Sequence, residues 1–192
     1  MATYVLIHGA GSDSWYWHLV VPELEARRHD VVAPDLPCDD DSAGLAEHAK
    51  AVVDAIGDRT DLVVVAQSLG GFTAPLLCDV VTVRLLVLVA AMVPLPGESP
   101  GEWWSNTGQE QAKREQDERE GRPTDGDFDP LITVLHDVSP EVVAQSMAHV
   151  KNQSGTPFGK KWPLTRGLTF SRGFFCVEKI ASSLPISWPS SP

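Results

Sequence analysis

Basic residues are scarce in this chain: 15 Lys+Arg stand against 26 Asp+Glu, a formal charge of −11 over 192 residues. A surface that acidic repels phosphate backbones, so no nucleic acid partner is expected. No apolar run reaches the roughly 20 residues of a membrane span; the most apolar stretch is residues 85–95, so no membrane partner is expected. Residues 1–3 run straight into a strand-like segment without a basic and then apolar leader, which reads as a cytoplasmic protein. Cysteine is limited to Cys38, Cys78 and Cys176, odd in number and with no C-x-x-C pair. These read as small buried hydrophobes in a reducing compartment, with no metal site. Internal repeats are absent. What is present, 43% hydrophobic and 21% charged residues with 15 Gly and 15 Pro, fits one ordinary domain with a single core.

Short apolar runs at residues 4–7, 31–33, 62–66 and 83–91 read as strands, the last interrupted only by Arg84. Between them, residues 15–28 carry a helix-like stripe, Ser42 can cap a helix running to Ile56, and residues 70–80 read as a third helix. Near-continuous apolar strands alternating with helices imply a three-layer α/β fold, a parallel sheet with helices on both faces. After Pro94 the alternation stops. Residues 109–120 are almost wholly polar, and Ser139-Pro140-Glu141 reads as a cap opening a helix to about Val150. The chain therefore divides into a core over residues 1–94, a helical cap excursion over 95–162, and an atypical tail over 163–192. From residue 151 onward six Lys/Arg meet one acid, against nine and twenty-five in the first 150 residues.

The chemistry concentrates at Ala66-Gln67-Ser68-Leu69-Gly70-Gly71. A serine between an apolar strand and a helix, with small residues two positions to either side, has the makings of a nucleophile elbow. Such a turn lifts the hydroxyl and lets strand and helix approach closely. The N–H of Leu69, at the helix start, can stabilise an oxyanion. Ala66 in the first glycine position adds one methyl. His8-Gly9-Ala10-Gly11 follows the first strand, and Ala10 is the candidate for a second oxyanion N–H. His8, Gly9, Gly11, Trp17 and Gln67 are the candidate pocket residues. Gly9-Ala10-Gly11 also begins a dinucleotide fingerprint, but Ser14 holds its third glycine position. His18, His29, His48 and His149 read as surface or structurally satisfied side chains, and His136-Asp137 as a structural pair.

At these residues the chain resembles the α/β-hydrolase superfamily, and within it the branch of plant methyl esterases, hydroxynitrile lyases and their bacterial relatives. The resemblance rests on the residue 5–10 segment, Trp15-Tyr16-Trp17-His18, residues 31–36, the Ser68 elbow and Gln153-Ser154-Gly155-Thr156-Pro157-Phe158. It implies Ser68 as nucleophile, Ala10 and Leu69 as oxyanion hole, and hydrolysis of a small-molecule ester without a cofactor. Hydroxynitrile lyases typically carry Thr where Gly9 stands here, so esterase-like chemistry is favoured over a cofactor-free lyase. A non-catalytic small-molecule-binding protein is the further alternative.

The superfamily's acid and histidine follow the cap, yet no histidine follows His149 and no aspartate follows Asp137. The chain therefore reads as an impaired hydrolase lacking the usual last strands. Translation of the tail out of frame from about Gly167 accounts for this. Permitted codons for residues 167–185, read after dropping two bases, yield PDVLTRVLLCREDRFFPA, a strand-like TRVLLC followed by an acid-bearing loop. Residues 83–91 would then be an open apolar sheet edge through which copies could associate.

Overall fold

A computed structural model describes residues 1–125, 129–165 and, as a strand, 174–177. Strands β1 (Thr3–Ile7), β2 (Asp30–Val32), β3 (Leu62–Gln67) and β4 (Val83–Val89) alternate with helices α1 (Val21–Ala26), α2 (Leu45–Ile56) and α3 (Gly70–Leu77). All strands pair in parallel in the order β2-β1-β3-β4-β5, with β5 at Phe174–Val177. The central strands are apolar throughout because helices cover both their faces. Val5, Leu6 and Ile7 are at most 1% exposed, and Leu62, Val63 and Val64 at most 2%.

From β1 the chain runs outward to β2, then crosses back to pair β3 on the other side of β1. The connections leaving β1 and β3 thus diverge in opposite directions, the point at which open α/β sheets bind their ligands. His8-Gly9 and Ser68 both lie at that divergence. Arg84, which interrupts the apolar run of β4, has a local cause. The register jumps from Leu62↔Val83 to Val63↔Leu85, leaving Arg84 bulged out to pair with Asp61 at 2.8 Å.

Beyond β4 the chain forms α4 (Pro100–Asn106), α5 (Gln109–Arg119), α6 (Pro130–Thr133), α7 (Pro140–Ser146) and α8 (Thr156–Gly159). Ser99 caps α4 through a reciprocal pair, its Oγ accepting from Glu102 N while its own N–H donates to Glu102 Oε2. The polar α5 is a solvated helix whose one buried acid, Asp117, is matched by Lys113 and Arg122. Trp162 closes the segment. Its indole is 1% exposed, donates to the Phe72 carbonyl at 3.1 Å, and joins Leu45, Leu69, Phe72, Met92 and Trp103 in a second apolar cluster behind the elbow. No helix among the described residues is long and apolar enough to cross a membrane.

The structure departs from the sequence reading in four places. Residues 15–28 split into a 3-10 turn at Ser14–Trp17 and α1, because Asp13 caps the former and Pro22 starts the latter afresh. Ser42 does not cap α2. Its hydroxyl donates to Asp40, and Gly44 opens the helix with its N–H on Glu47 Oε2 at 2.7 Å. Helix α3 ends at Leu77, where Val80 N and Val81 N both turn back onto the Leu77 carbonyl. Lastly, β4 is not left open along its length: β5, an apolar Phe-Phe-Cys-Val run, pairs with it from Leu86↔Phe174 to Val89↔Val177. The rest of the proposed out-of-frame segment lies outside the described residues.

Candidate active site

Ser68 sits between the last residue of β3 and the start of α3 with φ +49°, a left-handed conformation that a residue bearing a Cβ adopts only at a cost of about 1–2 kcal/mol. Three backbone bonds hold it there: Ser68 N donates to Val89 O at 3.3 Å, and Ser68 O accepts from Gly71 N at 3.0 Å and Met92 N at 2.9 Å. The double glycine is a packing requirement. A Cβ on Gly70 would come within 3.2 Å of the His8 carbonyl, and one on Gly71 would overlap the Met92 carbonyl. Ala66 is fully buried, so its extra methyl is absorbed by the core.

The loop after β1 reaches the same place from the other side. A Cβ on Gly9 would overlap Gln67 Oε1 and stand 2.8 Å from Ser68 Cβ, so the backbone of Gly9 lies directly against the elbow. His8 sets the orientation of this loop. Leu36 N donates to its Nε2 at 3.2 Å, which leaves the proton on Nδ1 to donate to Gly9 O at 2.8 Å. Burial holds the imidazole neutral by pushing its pKa below the ordinary 6.5. In a trans peptide the carbonyl and the following N–H point opposite ways, so fixing Gly9 O on the ring turns Ala10 N–H away from it. Among the described residues neither Ala10 N–H nor Leu69 N–H donates a hydrogen bond. Ser68 itself is partly exposed.

The return from the helical excursion is stitched onto this loop. Gly11, with φ +65°, donates to Gln153 Oε1 at 3.0 Å and accepts from Lys151 N at 3.0 Å. Asp13 caps the 3-10 turn through Trp15 N and takes His149 Nδ1 at 3.0 Å, with Lys151 Nζ at 3.7 Å. The Trp15 indole is stacked between His18 and His149, at 3.8 and 4.6 Å between ring centres. Neither the Asp13–His149 pair, 136 residues apart, nor the His8 lock carries a signal in local spacing.

Of the expected pocket residues, Gly9 and Gln67 stand against Ser68. His8 and Trp17 are turned inward instead, at 0% and 5% exposed. The backbone groups of Gly9 and Leu36 claim the His8 imidazole, and Trp17 is the buried residue of the 3-10 turn. Gly11 serves the stitching. Among the described residues no imidazole is hydrogen-bonded to Ser68 Oγ. His8 is bound to backbone, His18 to Trp15 O, His29 to Ala2 N, and His149 to Asp13. His48, read from sequence as surface or satisfied, is 1% exposed on the inner side of α2, where burial lowers its pKa.

Comparison with known proteins places this geometry in company. A family model described as alpha/beta hydrolase matches residues 4–174. Methylesterase 7 of Arabidopsis thaliana is 32% identical over 104 residues, which is 47% of this chain and 40% of that protein. The chain spans about half the length, or less, of the curated relatives first matched. Among solved structures, polyneuridine aldehyde esterase superposes with a TM-score of 0.67 at 18% identity, covering 92% of this chain and 80% of that one. An extracellular alpha/beta-hydrolase from a Paenibacillus species gives 0.65 at 22%, covering 85% and 72%. At such identities the superpositions speak for the fold.

Proposed function

The chain belongs to the alpha/beta hydrolase family, and from that premise we propose that its site is built to hydrolyse small carboxylic esters, methyl esters foremost, through an acyl-enzyme on Ser68. One observation carries the reading: Ser68 is held in a left-handed turn at the sheet's switch point, against Gly9, where a side chain would meet Gln67 and Ser68. A substrate carbonyl over Ser68 Oγ would direct its oxygen between Ala10 N–H and Leu69 N–H. Attack forms a tetrahedral adduct whose negative charge those amides stabilise; its collapse expels the alcohol and leaves the acyl group on Ser68, and water then releases the acid.

A serine needs a base for this chemistry, and the described residues place none on it. The proposal therefore includes slow turnover. Loss of a triad base costs about 10⁶ in kcat and leaves roughly 10³–10⁴ over water from binding and oxyanion stabilisation. Hydrolysis of p-nitrophenyl acetate by the intact chain and by Ser68→Ala tests the reading: a small rate that vanishes in the variant supports it, and equal rates overturn it. The empty base position favours a second reading, a small-molecule-binding protein without catalysis, which the same comparison separates. A lyase resembling those with Thr after the first-strand His is disfavoured, because a side chain at Gly9 meets both Gln67 and Ser68. Release of cyanide from a cyanohydrin would reinstate it.

A further inference from the structure

The Gln67 carboxamide lies against both the Gly9 loop and the Ser68 elbow. It ends β3 immediately before Ser68 and is partly buried. Its Oε1 occupies the space that a Cβ on Gly9 would need, and Ser68 Cβ lies 2.8 Å from the same point. The amide is therefore packed onto the Gly9 backbone, between the loop and the elbow. Among the described residues it forms no side-chain hydrogen bond. A carboxamide offers two donors and one acceptor, and a partly buried one normally spends them. Gly9 and Ser68 Cβ both lie beside Oε1, which puts the amide next to the elbow.

The geometry points to Gln67 as a specificity-determining residue that hydrogen-bonds an oxygen-bearing substituent next to the scissile carbonyl, selecting α-oxygenated acyl groups over purely apolar ones. The inference rests on the ester reading of Ser68 and names the acyl class for that site. Gln67 directly precedes Ser68, and its amide lies against Gly9 beside Ser68 Cβ. The substrate atoms within its reach are then those one or two bonds from the carbonyl carbon, whichever way the amide is turned. A hydroxyl or keto oxygen there satisfies the amide. A methyl in its place forgoes that hydrogen bond, and the difference is the source of the discrimination.

Methyl lactate and methyl isobutyrate form a matched pair, differing by a hydroxyl in place of a methyl. Their binding to the intact chain, to Gln67→Met and to Gln67→Glu is measured by isothermal titration, and methanol release is followed in parallel with Ser68→Ala as the blank. The intact chain is expected to prefer the lactate ester by about five- to tenfold, the size of one neutral hydrogen bond. Gln67→Met, of similar length and without donors, is expected to lose that preference, the ratio of the two affinities falling to about one. Gln67→Glu keeps an acceptor, so it is expected to retain part of the preference, and it serves should the Met variant melt early. No preference in the intact chain, no binding of either ester, or an unchanged ratio in both variants overturns the inference. A preserved binding ratio with no Ser68-dependent methanol release overturns the hydrolase reading alone and leaves the role of Gln67 standing.

Discussion

Replacing Gly9 by alanine adds a single methyl at the point where loop and elbow touch, and its consequence can be worked from distances. The new Cβ would lie 2.8 Å from Ser68 Cβ and overlap Gln67 Oε1. The carboxamide can swing aside, but Ser68 Cβ is carried on backbone tied by bonds to Val89, Gly71 and Met92. Ordinary carbon–carbon contact is about 3.5–4.0 Å, so the two walls must separate by roughly 0.7–1.2 Å. Overpacking of that order costs about 1–3 kcal/mol, a fall in Tm of about 2–10 °C for a chain of this size. The same displacement moves Ala10 N–H relative to Ser68 Oγ, and a misplacement of about 1 Å lowers the rate of a positioned reaction by about 100-fold. Gly155→Ala is the matched control, since a Cβ there meets nothing within 4 Å and its φ of −71° suits alanine. Melting by circular dichroism and Ser68-dependent p-nitrophenyl acetate turnover read the two effects. A Gly9→Ala protein that melts and turns over like Gly155→Ala would refute the placement of the loop against the elbow.

Ser68→Gly relieves the left-handed strain and is expected to raise stability by about 1 kcal/mol while abolishing turnover; a lower Tm would argue against stored strain. Trp162→Ala empties a fully buried indole site and removes the bond to Phe72 O, an expected loss of about 3–5 kcal/mol by denaturant titration. Burial lowers the pKa of His8 and His48 below 6.5, so the unfolded chain takes up protons first as pH falls. Stability is accordingly complete above about pH 6.5, the unfolded value, and is lost as pH drops through the folded values. His8→Asn is expected to flatten that acid limb in a Tm-against-pH series, whereas an unchanged limb would remove His8 as its cause.

Whatever depended on local pattern was legible in the residues. Runs such as Leu62–Gln67 announce buried strands because both faces need apolar side chains, and a serine framed by Ala66 and Gly70 announces a tight strand-to-helix turn. Ends of elements are decided by competing bonds that local pattern does not show, as where Asp40 claims Ser42 and Glu47 claims Gly44. His8 looked like a pocket residue because nothing in its neighbourhood shows that the Leu36 N–H, 28 residues on, would take its ring. The pairing of β4 by residues 174–177 was also hidden, since the sparse, basic tail around them shows no strand-and-helix alternation.

The most direct measurement is to trap the acylated protein. If Ser68 is the nucleophile and no imidazole assists its release, the acetyl group from p-nitrophenyl acetate should persist after acid quenching. Peptide mapping by mass spectrometry should then find it on the segment carrying Ser68. Acetyl on lysines alone, in the intact chain and in Ser68→Ala alike, contradicts the account.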